Sequence, residues 1–411
     1  MISRRTRALT AGVVALALVA AACGDDDDSS TDDTTAPTTA AADDDMSEDA
    51  DEAAADAAAG GSDAACETVD SVSLQLQWFT QAQFAGYYAA QDQGFYEDFC
   101  LDVDIVEGGV EIVPQTQLAN GDVDFALAWV PKALASREAG ADIIDIAQIY
   151  QRAGTLQVAF ADAGISNPAD FEGQTIGNWG FGNEYELFAA IGRAGLDPAS
   201  DVELIGQQFD MVALLEGEID AAQAMTYNEY AQVLEAVNPD TGELYQPEDF
   251  TVISYEDEGV GMLQDAIWAD AEKLANDDAY RDQAVRFVAA SMLGWTYCRD
   301  NVDSCRDIVV AQGSTLGASH QLWQMNEVNK LIWPAPEGIG YIDQTAWDQT
   351  VAISLETPNL EGATVLTEEP SDGAFTNEIV EEAWALLAET GVDLFGADYE
   401  PIEVTLNEGG E

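Results

Sequence analysis

Two stretches of this chain repeat one alternation, in which short apolar strands are followed by helices. The first stretch contains strand patterns at SVSLQLQW (71–78), LDVDIVEGG (101–109) and ANGDVDFALAW (119–129), with helical patterns between them. The second stretch contains strand patterns at TIGNW (175–179), DVELIG (201–206) and DAAQAMTY (220–227). Successive strands joined by helical crossovers lie parallel in one sheet, with helices on its faces. Each stretch therefore predicts an α/β unit, and the chain is expected to form two lobes.

The two units also predict how the chain divides into domains. Residues 157–260 are expected to form lobe 2, inserted between segments 66–156 and 261–411, which together form lobe 1. Beyond about residue 266 the pattern becomes mainly helical, and Pro334 and Pro336 interrupt it. The predicted helices in this part are AIWADAEKLA (266–275), AYRDQAVRFVAASMLGWTYC (279–298) and TAWDQTVAISL (345–355).

The strand ends of the two units predict where a ligand would bind. Open α/β sheets bind ligands at the carboxyl ends of their strands, and here two such edges would face each other across a cleft. The residues that follow the predicted strands are Trp78, Gly108, Gly109, Trp129, Trp179 and Tyr227. Aromatic rings favour stacking on a flat ligand, at about 0.5–1.5 kcal/mol per aromatic pair beyond area burial. The alternative is that some of these rings belong to the core.

The first residues of the chain have the composition of an export signal. A basic start is followed by the apolar run AGVVALALVAAA (11–22), which is too short to span a bilayer, and small residues precede Cys23. VAAAC resembles the bacterial lipoprotein signal, although Ala20 stands where leucine is commonest. The resemblance implies that residues 1–22 are a signal peptide and that lipidated Cys23 holds the protein on the extracytoplasmic face of the cell membrane. The alternative is an ordinary signal peptide with a cysteine near its cleavage point.

Acidic residues dominate the segment that follows Cys23. Residues 24–65 consist mainly of Asp, Ala, Thr and Ser and contain no Lys or Arg, so residues 23–65 are expected to form a lipidated, disordered stalk. The whole chain has a formal net charge of −65. Such a charge repels nucleic acid and anionic membranes, so membrane contact is expected only through the lipid anchor. A saline habitat or general solubility accounts for the charge.

The remaining cysteines indicate disulfides. They are Cys66, Cys100, Cys298 and Cys305, and an even number outside the cytosol favours two bridges. Cys298 and Cys305 flank a short polar segment, which favours their pairing and leaves Cys66 for Cys100. Zinc is the rival use, but neither pair has CxxC spacing and the chain has one histidine, His320. No metal site is therefore predicted.

Three segments of the chain resemble one known family. These are LQWFTQAQFAGYYAAQDQGFYEDFCLDVDIVEGG (76–109), ANGDVDFALAW (119–129) and GEIDAAQAMTYNEY (217–230). They are similar to the opening segment, the G-x-x-D strand and the second-lobe strand of the NMT1/THI5-like periplasmic solute-binding proteins. The similarity extends over about 70–365, which is nearly all of the part expected to fold.

The resemblance implies a fold and a role. The fold is α/β, a two-lobed type II periplasmic-binding-protein fold with the ligand cleft between the lobes. The role is that of a monomer without a cofactor, which binds a small molecule and delivers it to an ABC permease and its ATPase. Ligands across the family include nitrate, sulfonates, thiamine pyrimidine precursors and riboflavin.

The charges near the predicted cleft disfavour the anionic ligands in this set. An anion site needs Arg, Lys or a free helix N-terminus. The loop NWGFGNE (178–184) opens a helix, but Glu184 and Glu186 lie in its first turn and would repel an anion. Lys132 and Arg152 are the only bases near the predicted cleft edges. Nitrate and sulfonates therefore become minor candidates.

The predicted site combines strand-end aromatic residues with the resemblance. The residues predicted to bind the ligand are Trp78, Gln83, Trp129, Trp179, Glu184, Tyr227, Asn228 and Glu229. The Tyr-Asn-Glu run at 227–229 resembles one that contacts the heterocycle in thiamine-pyrimidine binders, although a solvated helix cap is the alternative. Those binders commonly have a histidine soon after the first Trp, whereas residues 79–86 contain none. A cleft rich in Gln and Trp suits a larger neutral ring, so riboflavin is favoured over a formylaminopyrimidine-type precursor.

Two other classes of function are alternatives to binding a solute for import. An iron-dependent pyrimidine synthase shares the family's fold but needs a site histidine and a cysteine-rich motif, and this chain has neither at the expected place. Histidine-dependent nucleophilic catalysis would need His320 to reach a nucleophile. The protein is therefore expected not to be an enzyme. An extracellular sensor that presents its ligand to a signalling partner remains open.

Overall fold

The computed structural model of the protein describes residues 66–411. The predicted signal peptide (1–22), the lipidation site Cys23 and the stalk that ends at residue 65 lie outside the described residues. Within 66–411, no helix is both long enough and apolar enough to cross a membrane.

Strands and helices alternate through the first two thirds of the described chain. The strands are β1 (Asp70–Gln75), β2 (Leu101–Val106), β3 (Phe125–Trp129), β4 (Ile143–Gln148), β5 (Thr155–Phe160), β6 (Thr175–Asn178), β7 (Glu203–Gly206), β8 (Ala221–Met225), β9 (Phe250–Ser254) and β10 (Asp265–Asp270). The helices are α1 (Ala85–Asp92), α2 (Phe95–Asp98), α3 (Pro114–Asn120), α4 (Val130–Glu138), α5 (Tyr185–Arg193), α6 (Val212–Leu215), α7 (Glu229–Leu234), α8 (Ala271–Asn276), α9 (Asp278–Asp300), α10 (Val302–Ala311), α11 (Ala318–Ile332), α12 (Gln344–Glu356) and α13 (Glu378–Leu387).

The strands form two five-stranded sheets of related design. The first sheet has the order β2-β1-β3-β10-β4, and the second has the order β7-β6-β8-β5-β9. In each sheet four strands run in one direction, among them the three adjacent parallel strands that the crossover pattern predicts. The fifth strand runs antiparallel to both of its neighbours, and it is β10 in the first sheet and β5 in the second. The α/β fold with two lobes is confirmed, and the two sheets are mixed rather than purely parallel.

Strand β10 corrects one prediction. The segment AIWADAEKLA was expected to be helical, but its first half continues β10 and only its second half lies in α8. Ala266, Ile267, Trp268 and Ala269 are completely buried because β10 lies between β3 and β4 and is covered on both faces. A strand buried on both faces reads as a continuous apolar run without alternation, which periodicity cannot distinguish from a short buried helix.

The strand content supports the proposed division into lobes. The second sheet uses only residues between Thr155 and Ser254, and the chain returns to the first sheet at Asp265. This distribution agrees with the proposal that 157–260 form lobe 2 and that 66–156 and 261–411 form lobe 1. Two crossing segments, 149–154 and 255–264, join the lobes. Within them Gly154 N–H donates to Gln264 Oε1 (2.9 Å).

Helix α11 forms a third connection between the lobes. On the side of lobe 1, the Gln321 side chain accepts a hydrogen bond from Ala82 N–H (2.6 Å). On the side of lobe 2, Trp323 Nε1–H donates to the Thr226 carbonyl (3.0 Å), and the Thr226 hydroxyl donates to Glu327 Oε2 (2.8 Å). Helix α11 therefore adds side-chain contacts between the lobes to the two chain crossings.

Lobe 1 owes part of its core to two glycines. Helix α9 packs closely on α1, and a Cβ atom on Gly294 would lie 1.9 Å from the Gly86 carbonyl oxygen. A Cβ on Gly86 would in turn lie 2.2 Å from the Trp295 ring, which is completely buried. Only residues without a side chain allow the two helix backbones to approach so closely.

Two disulfides close loops in lobe 1. Cys66 is bonded to Cys100, with a Cα–Cα distance of 5.6 Å, and Cys298 is bonded to Cys305, with a Cα–Cα distance of 5.4 Å. The first bridge ties the start of the described chain to the start of β2, and the second joins α9 to α10.

We expect the longer disulfide loop to contribute more stability. The chain-entropy relation gives about 4 kcal/mol for the loop closed by Cys66 and Cys100, and about 2 kcal/mol for the loop closed by Cys298 and Cys305. Replacing both cysteines of one pair with serine should lower the free energy of unfolding in urea by these amounts. Peptide mapping without reduction should recover both cystine peptides, and four free thiols would contradict the assignment.

Candidate functional site

A cavity of about 610 Å³ lies between the two lobes. Its walls are formed where strands of both sheets end, as expected for open α/β sheets. From lobe 1 the cavity-lining residues include Gln77, Trp78, Gln81, Gln83, Trp129 and Lys132, and from lobe 2 they include Trp179, Asn183, Phe209, Tyr227, Asn228 and Glu229. The volume lies within the range of sites for small molecules, about 300–1,000 Å³.

Seven of the eight residues predicted to bind a ligand line this cavity. They are Trp78, Gln83, Trp129, Trp179, Tyr227, Asn228 and Glu229. Glu184 does not line it, because its carboxylate turns back and accepts a hydrogen bond from Gly182 N–H (2.8 Å). Glu184 therefore stabilises the loop before α5 and does not face the cavity.

The aromatic wall contains a contact between the two lobes. The Trp78 ring of lobe 1 lies 4.9 Å from the Phe209 ring of lobe 2, measured between centroids. Phe209 also stacks on Trp179, at 5.9 Å and with 27° between the ring planes. Sequence reasoning missed Phe209, although it follows β7 by three residues and the strand-end rule could have included it.

A buried carboxylate organises the floor on the side of lobe 1. Asp265 Oδ1 accepts a hydrogen bond from Gln83 Nε2 (2.9 Å), and Asp265 Oδ2 accepts one from Trp129 Nε1 (2.9 Å). Gln83 in turn accepts from Gln81 Nε2 (2.7 Å). Burial raises the pKa of Asp265 to about 6, although the hydrogen bonds from Gln83 and Trp129 oppose this shift. Sequence reasoning missed Asp265, whose only signal was one acid inside an apolar run.

Lys132 is the one basic side chain among the cavity-lining residues in the described part of the chain. Its Nζ lies 4.9 Å from the centroid of the Trp129 ring and donates a hydrogen bond to Asn183 Oδ1 of the opposite lobe (2.7 Å). Burial lowers the pKa of Lys132 to about 8, and the nearby Glu184 and Asp265 partly oppose this effect. Arg152, which the sequence also offered near the cleft, donates instead to the carbonyls of residues 330, 331 and 334.

On the side of lobe 2, Glu229 and Asn228 form a buried polar pair. Glu229 Oε2 accepts from Met225 N–H (2.9 Å), and Glu229 Oε1 accepts from Asn228 Nδ2 (2.9 Å). Burial raises the pKa of Glu229, and the hydrogen bond from Met225 opposes the shift. Tyr227, beside them, lies 6.2 Å from Tyr150 in an edge-to-face contact across the base of the cleft.

The glycine loop at the cavity mouth has an unusual backbone. Gly180, Phe181 and Gly182 are all left-handed, with φ values of 64°, 55° and 86°. The Phe181 side chain is 91% exposed at the mouth, and Asn183 Nδ2–H donates to the Gly180 carbonyl (2.8 Å).

Glu186, which the sequence places in the first turn after this loop, is buried and accepts a hydrogen bond from Met262 N–H (2.8 Å) in a crossing segment. Its carboxylate is therefore engaged away from the cavity.

The cavity has the chemistry of a binding site. None of the lining residues within 66–411 is Ser, Cys or His. Within the same residues, no group of three or more His, Cys, Asp or Glu side chains could hold a metal ion. Two buried donors of the cavity wall, Gln77 Nε2 and Trp179 Nε1, have no hydrogen-bond partner among the described residues. A ligand with several acceptor atoms would pair with these donors.

Known proteins with similar sequences include binders of heteroaromatic vitamins and precursors. The family described as NMT1/THI5 like matches residues 81–304. The formylaminopyrimidine-binding protein of Halalkalibacterium halodurans is 25% identical over 250 residues, which cover 59% of this chain and 71% of that protein. The riboflavin-binding protein RibY of Chloroflexus aurantiacus is 25% identical over 342 residues, which cover 76% of this chain and 87% of that protein.

The fold has solved relatives of the same type. The periplasmic aliphatic sulphonate binding protein SsuA of Escherichia coli is similar with a TM-score of 0.52 at 13% identity. The similarity covers 84% of this chain and 96% of SsuA. At this sequence identity the comparison establishes the two-lobed fold, and it does not identify the ligand.

Asp265 gives a prediction for the pH dependence of stability. Because folding raises the pKa of this carboxyl from 3.8 to about 6, its contribution to stability is complete below pH 4 and is lost as the pH rises through 6. Relative to Asp265→Asn, the wild-type protein should lose up to about 3 kcal/mol of unfolding free energy between pH 4 and pH 7. Urea denaturation of both proteins at several pH values measures this difference, and parallel pH profiles would contradict the prediction.

Proposed function

Because this chain belongs to the NMT1/THI5-like family, we propose that it captures riboflavin outside the cytoplasm and delivers it to the permease of an ABC importer. Membership of this family, and relatives named as formylaminopyrimidine-binding and riboflavin-binding proteins, support a solute-binding protein rather than an enzyme. The choice of riboflavin as the ligand rests on the residues of the site.

The observation that carries the proposal is an aromatic cavity with donors left unpaired. The rings of Trp78, Trp129 and Trp179 offer flat apolar surfaces, and Gln77 Nε2 and Trp179 Nε1 are buried without hydrogen-bond partners in the part of the chain that the structure describes. The isoalloxazine ring of riboflavin is flat and uncharged and carries two carbonyls and several ring nitrogens that accept hydrogen bonds. It would stack on the tryptophans and accept from the unpaired donors.

Charge supports a neutral ligand over an anionic one. Among residues 66–411, Lys132 is the single base that lines the cavity, and it is already hydrogen bonded to Asn183. Glu229 lines the same space, and the Asp265 carboxyl lies directly behind it, bonded to Gln83 and Trp129. A sulfonate or nitrate would need more positive charge than this wall offers. These anions therefore remain minor candidates.

The second candidate is a thiamine pyrimidine precursor. It is favoured by the formylaminopyrimidine-binding relative and by Asn228 and Glu229, which suit an aminopyrimidine edge. A single small ring would leave much of a cavity of about 610 Å³ to water. The cavity volume therefore favours the larger tricyclic ligand.

Binding of riboflavin and the roles of two residues can be tested together. In titration calorimetry the wild-type protein should bind riboflavin more tightly than formylaminopyrimidine, taurine or nitrate. Glu229→Gln should weaken riboflavin binding about 10- to 150-fold, because a buried hydrogen bond to a charged group contributes about 1.5–3 kcal/mol. Trp179→Ala should weaken it by a comparable factor, because one stacking face is lost.

Two matched variants serve as controls for that experiment. Glu216→Gln removes an exposed carboxylate of lobe 2 that does not line the cavity, and Trp384→Ala removes a partly buried indole of lobe 1 that is remote from it. Both should keep wild-type affinity, whatever they do to stability. Tight binding of taurine or nitrate, or full riboflavin affinity in both Glu229→Gln and Trp179→Ala, would overturn the assignment.

The mode of attachment completes the proposal. Cys23, in VAAAC, would be lipidated and hold the protein on the extracytoplasmic face of the membrane, within reach of the permease, whose ATPase drives import from the cytoplasmic side. A sensor that presents the ligand to a signalling partner is the alternative, and permease and ATPase genes beside this one would favour import.

Lipidation at Cys23 has its own test. Cys23→Ser should leave the precursor uncleaved or release the protein from the membrane fraction, because the thioether to lipid cannot form. Mass spectrometry of the wild-type N-terminus should find a lipid-modified Cys23. A mature wild-type chain that begins elsewhere and carries no lipid would contradict the proposal.

A further inference from the structure

A chain of four buried side chains lies behind the cavity wall of lobe 2. His320, on α11, is 1% exposed and lies between two residues of the α7 region. Its Nε2 lies 3.0 Å from Asn228 Oδ1, and its Nδ1 lies 2.8 Å from Glu235 Oε1. Asn228 continues the chain to Glu229, through Nδ2 to Oε1 at 2.9 Å. His320 does not line the cavity, whereas Asn228 and Glu229 do.

The hydrogen-bond inventory of this chain determines how the Asn228 amide is turned. Glu229 already accepts from Met225 N–H, and its other oxygen accepts from the Asn228 amide nitrogen. The amide oxygen of Asn228 therefore faces His320, and the only way to join an oxygen acceptor to the ring is an N–H at Nε2. With Glu229 ionised, every contact in the chain is a hydrogen bond when Nε2 carries a proton and a second proton lies between Nδ1 and Glu235 Oε1.

A fixed Asn228 presents a defined pattern to the cavity. Its amide nitrogen has two N–H groups, of which one donates to Glu229 and the other has no partner among residues 66–411. The Glu229 carboxylate beside it retains acceptor capacity, since each oxygen accepts one hydrogen bond from the described residues. The wall therefore offers a donor next to an acceptor.

We propose that His320 is a positioning residue, which turns the Asn228 amide so that Asn228 and Glu229 together select a ligand edge with an acceptor beside an N–H donor. This role rests on the proposed function: in riboflavin, the matching edge is the imide, in which a ring carbonyl lies next to N3–H. The carbonyl accepts from Asn228, and N3–H donates to Glu229. Sulfonates and nitrate have no N–H donor and therefore lack such an edge, whereas the ring nitrogen and amino group of an aminopyrimidine form one.

The position of the Nε2 proton can be observed directly, because the chain contains a single histidine. The full chain, labelled with ¹⁵N-histidine and purified without a polyhistidine tag, should give one pair of imidazole nitrogens in a long-range ¹H–¹⁵N correlation spectrum. We expect Nε2 to bear a proton in the ligand-free protein. An Nε2 without a proton would mean that the amide is turned the other way, and it would overturn the inference whichever ligand binds.

Ligand selectivity provides the second measurement. Wild-type protein should bind N3-methylriboflavin at least 100-fold more weakly than riboflavin, because the N–H donor is lost. His320→Leu removes the donor to Asn228, so it should weaken riboflavin binding about 10-fold or more and reduce the ratio between the two ligands. His320→Gln retains an N–H at the place of Nε2, and it should keep both the affinity and the ratio within about threefold of wild type.

The outcomes separate the inference from the proposed function. If wild-type protein binds riboflavin and N3-methylriboflavin equally, or if His320→Leu keeps the wild-type ratio, the positioning role is wrong although the riboflavin assignment stands. If wild-type protein does not bind riboflavin, the proposed ligand is wrong, and the imidazole spectrum still decides how Asn228 is turned. If His320→Leu does not fold, His320→Gln and the wild-type spectrum decide the matter.

Discussion

The geometry of the site depends on one buried carboxylate at the point where the chain re-enters lobe 1. Asp265 begins β10, and its two oxygens accept from Gln83 and from Trp129. The first residue of β10 thereby orients an amide and an indole that come from different parts of lobe 1. A buried carboxylate that accepts only from neutral donors needs well-aligned hydrogen bonds, because no cation contacts it directly. The orientation of Trp129, and of Lys132 over its ring, follows from this arrangement.

Buried carboxyls recur around the cleft, and their pKa values are raised for the same reason. Burial raises the pKa of Asp265 to about 6 and that of Glu186 to about 7, and it raises the pKa of Glu229 as well. Glu186 accepts from Met262 N–H in a crossing segment, so an acid of this group also supports the connection between the lobes. Beside the cavity, Asp265 and Glu229 offer acceptors to hydrogen-bond donors, and Lys132, the one base that lines it among the described residues, offers little positive charge to an anion. This electrostatic property is the physical basis for a neutral heteroaromatic ligand.

Local patterns predicted much of the fold, and they failed where burial removed the pattern. Strands β1, β2, β3, β6, β7 and β8 were predicted because each ends in a glycine, aromatic or polar signal and is followed by a helical pattern or a turn. The pattern of β10 predicted a helix, because the residues of this strand are apolar on both faces. Strands β4, β5 and β9 were not predicted. Their antiparallel or edge pairings depend on partners far along the chain, which short-range periodicity does not encode.

The sequence by itself determined the family, the two α/β units and seven of the residues that line the cavity, because strand ends in an open sheet must face the cleft. The tertiary structure alone decided which of those groups cooperate. It brought Asp265 under Trp129, Phe209 against Trp78, and His320 against Asn228, over separations of 136, 131 and 92 residues. It also turned Glu184 away from the cavity into its own loop. Contacts of this kind arise from how the two lobes and α11 pack together, and no local pattern of residues records that packing.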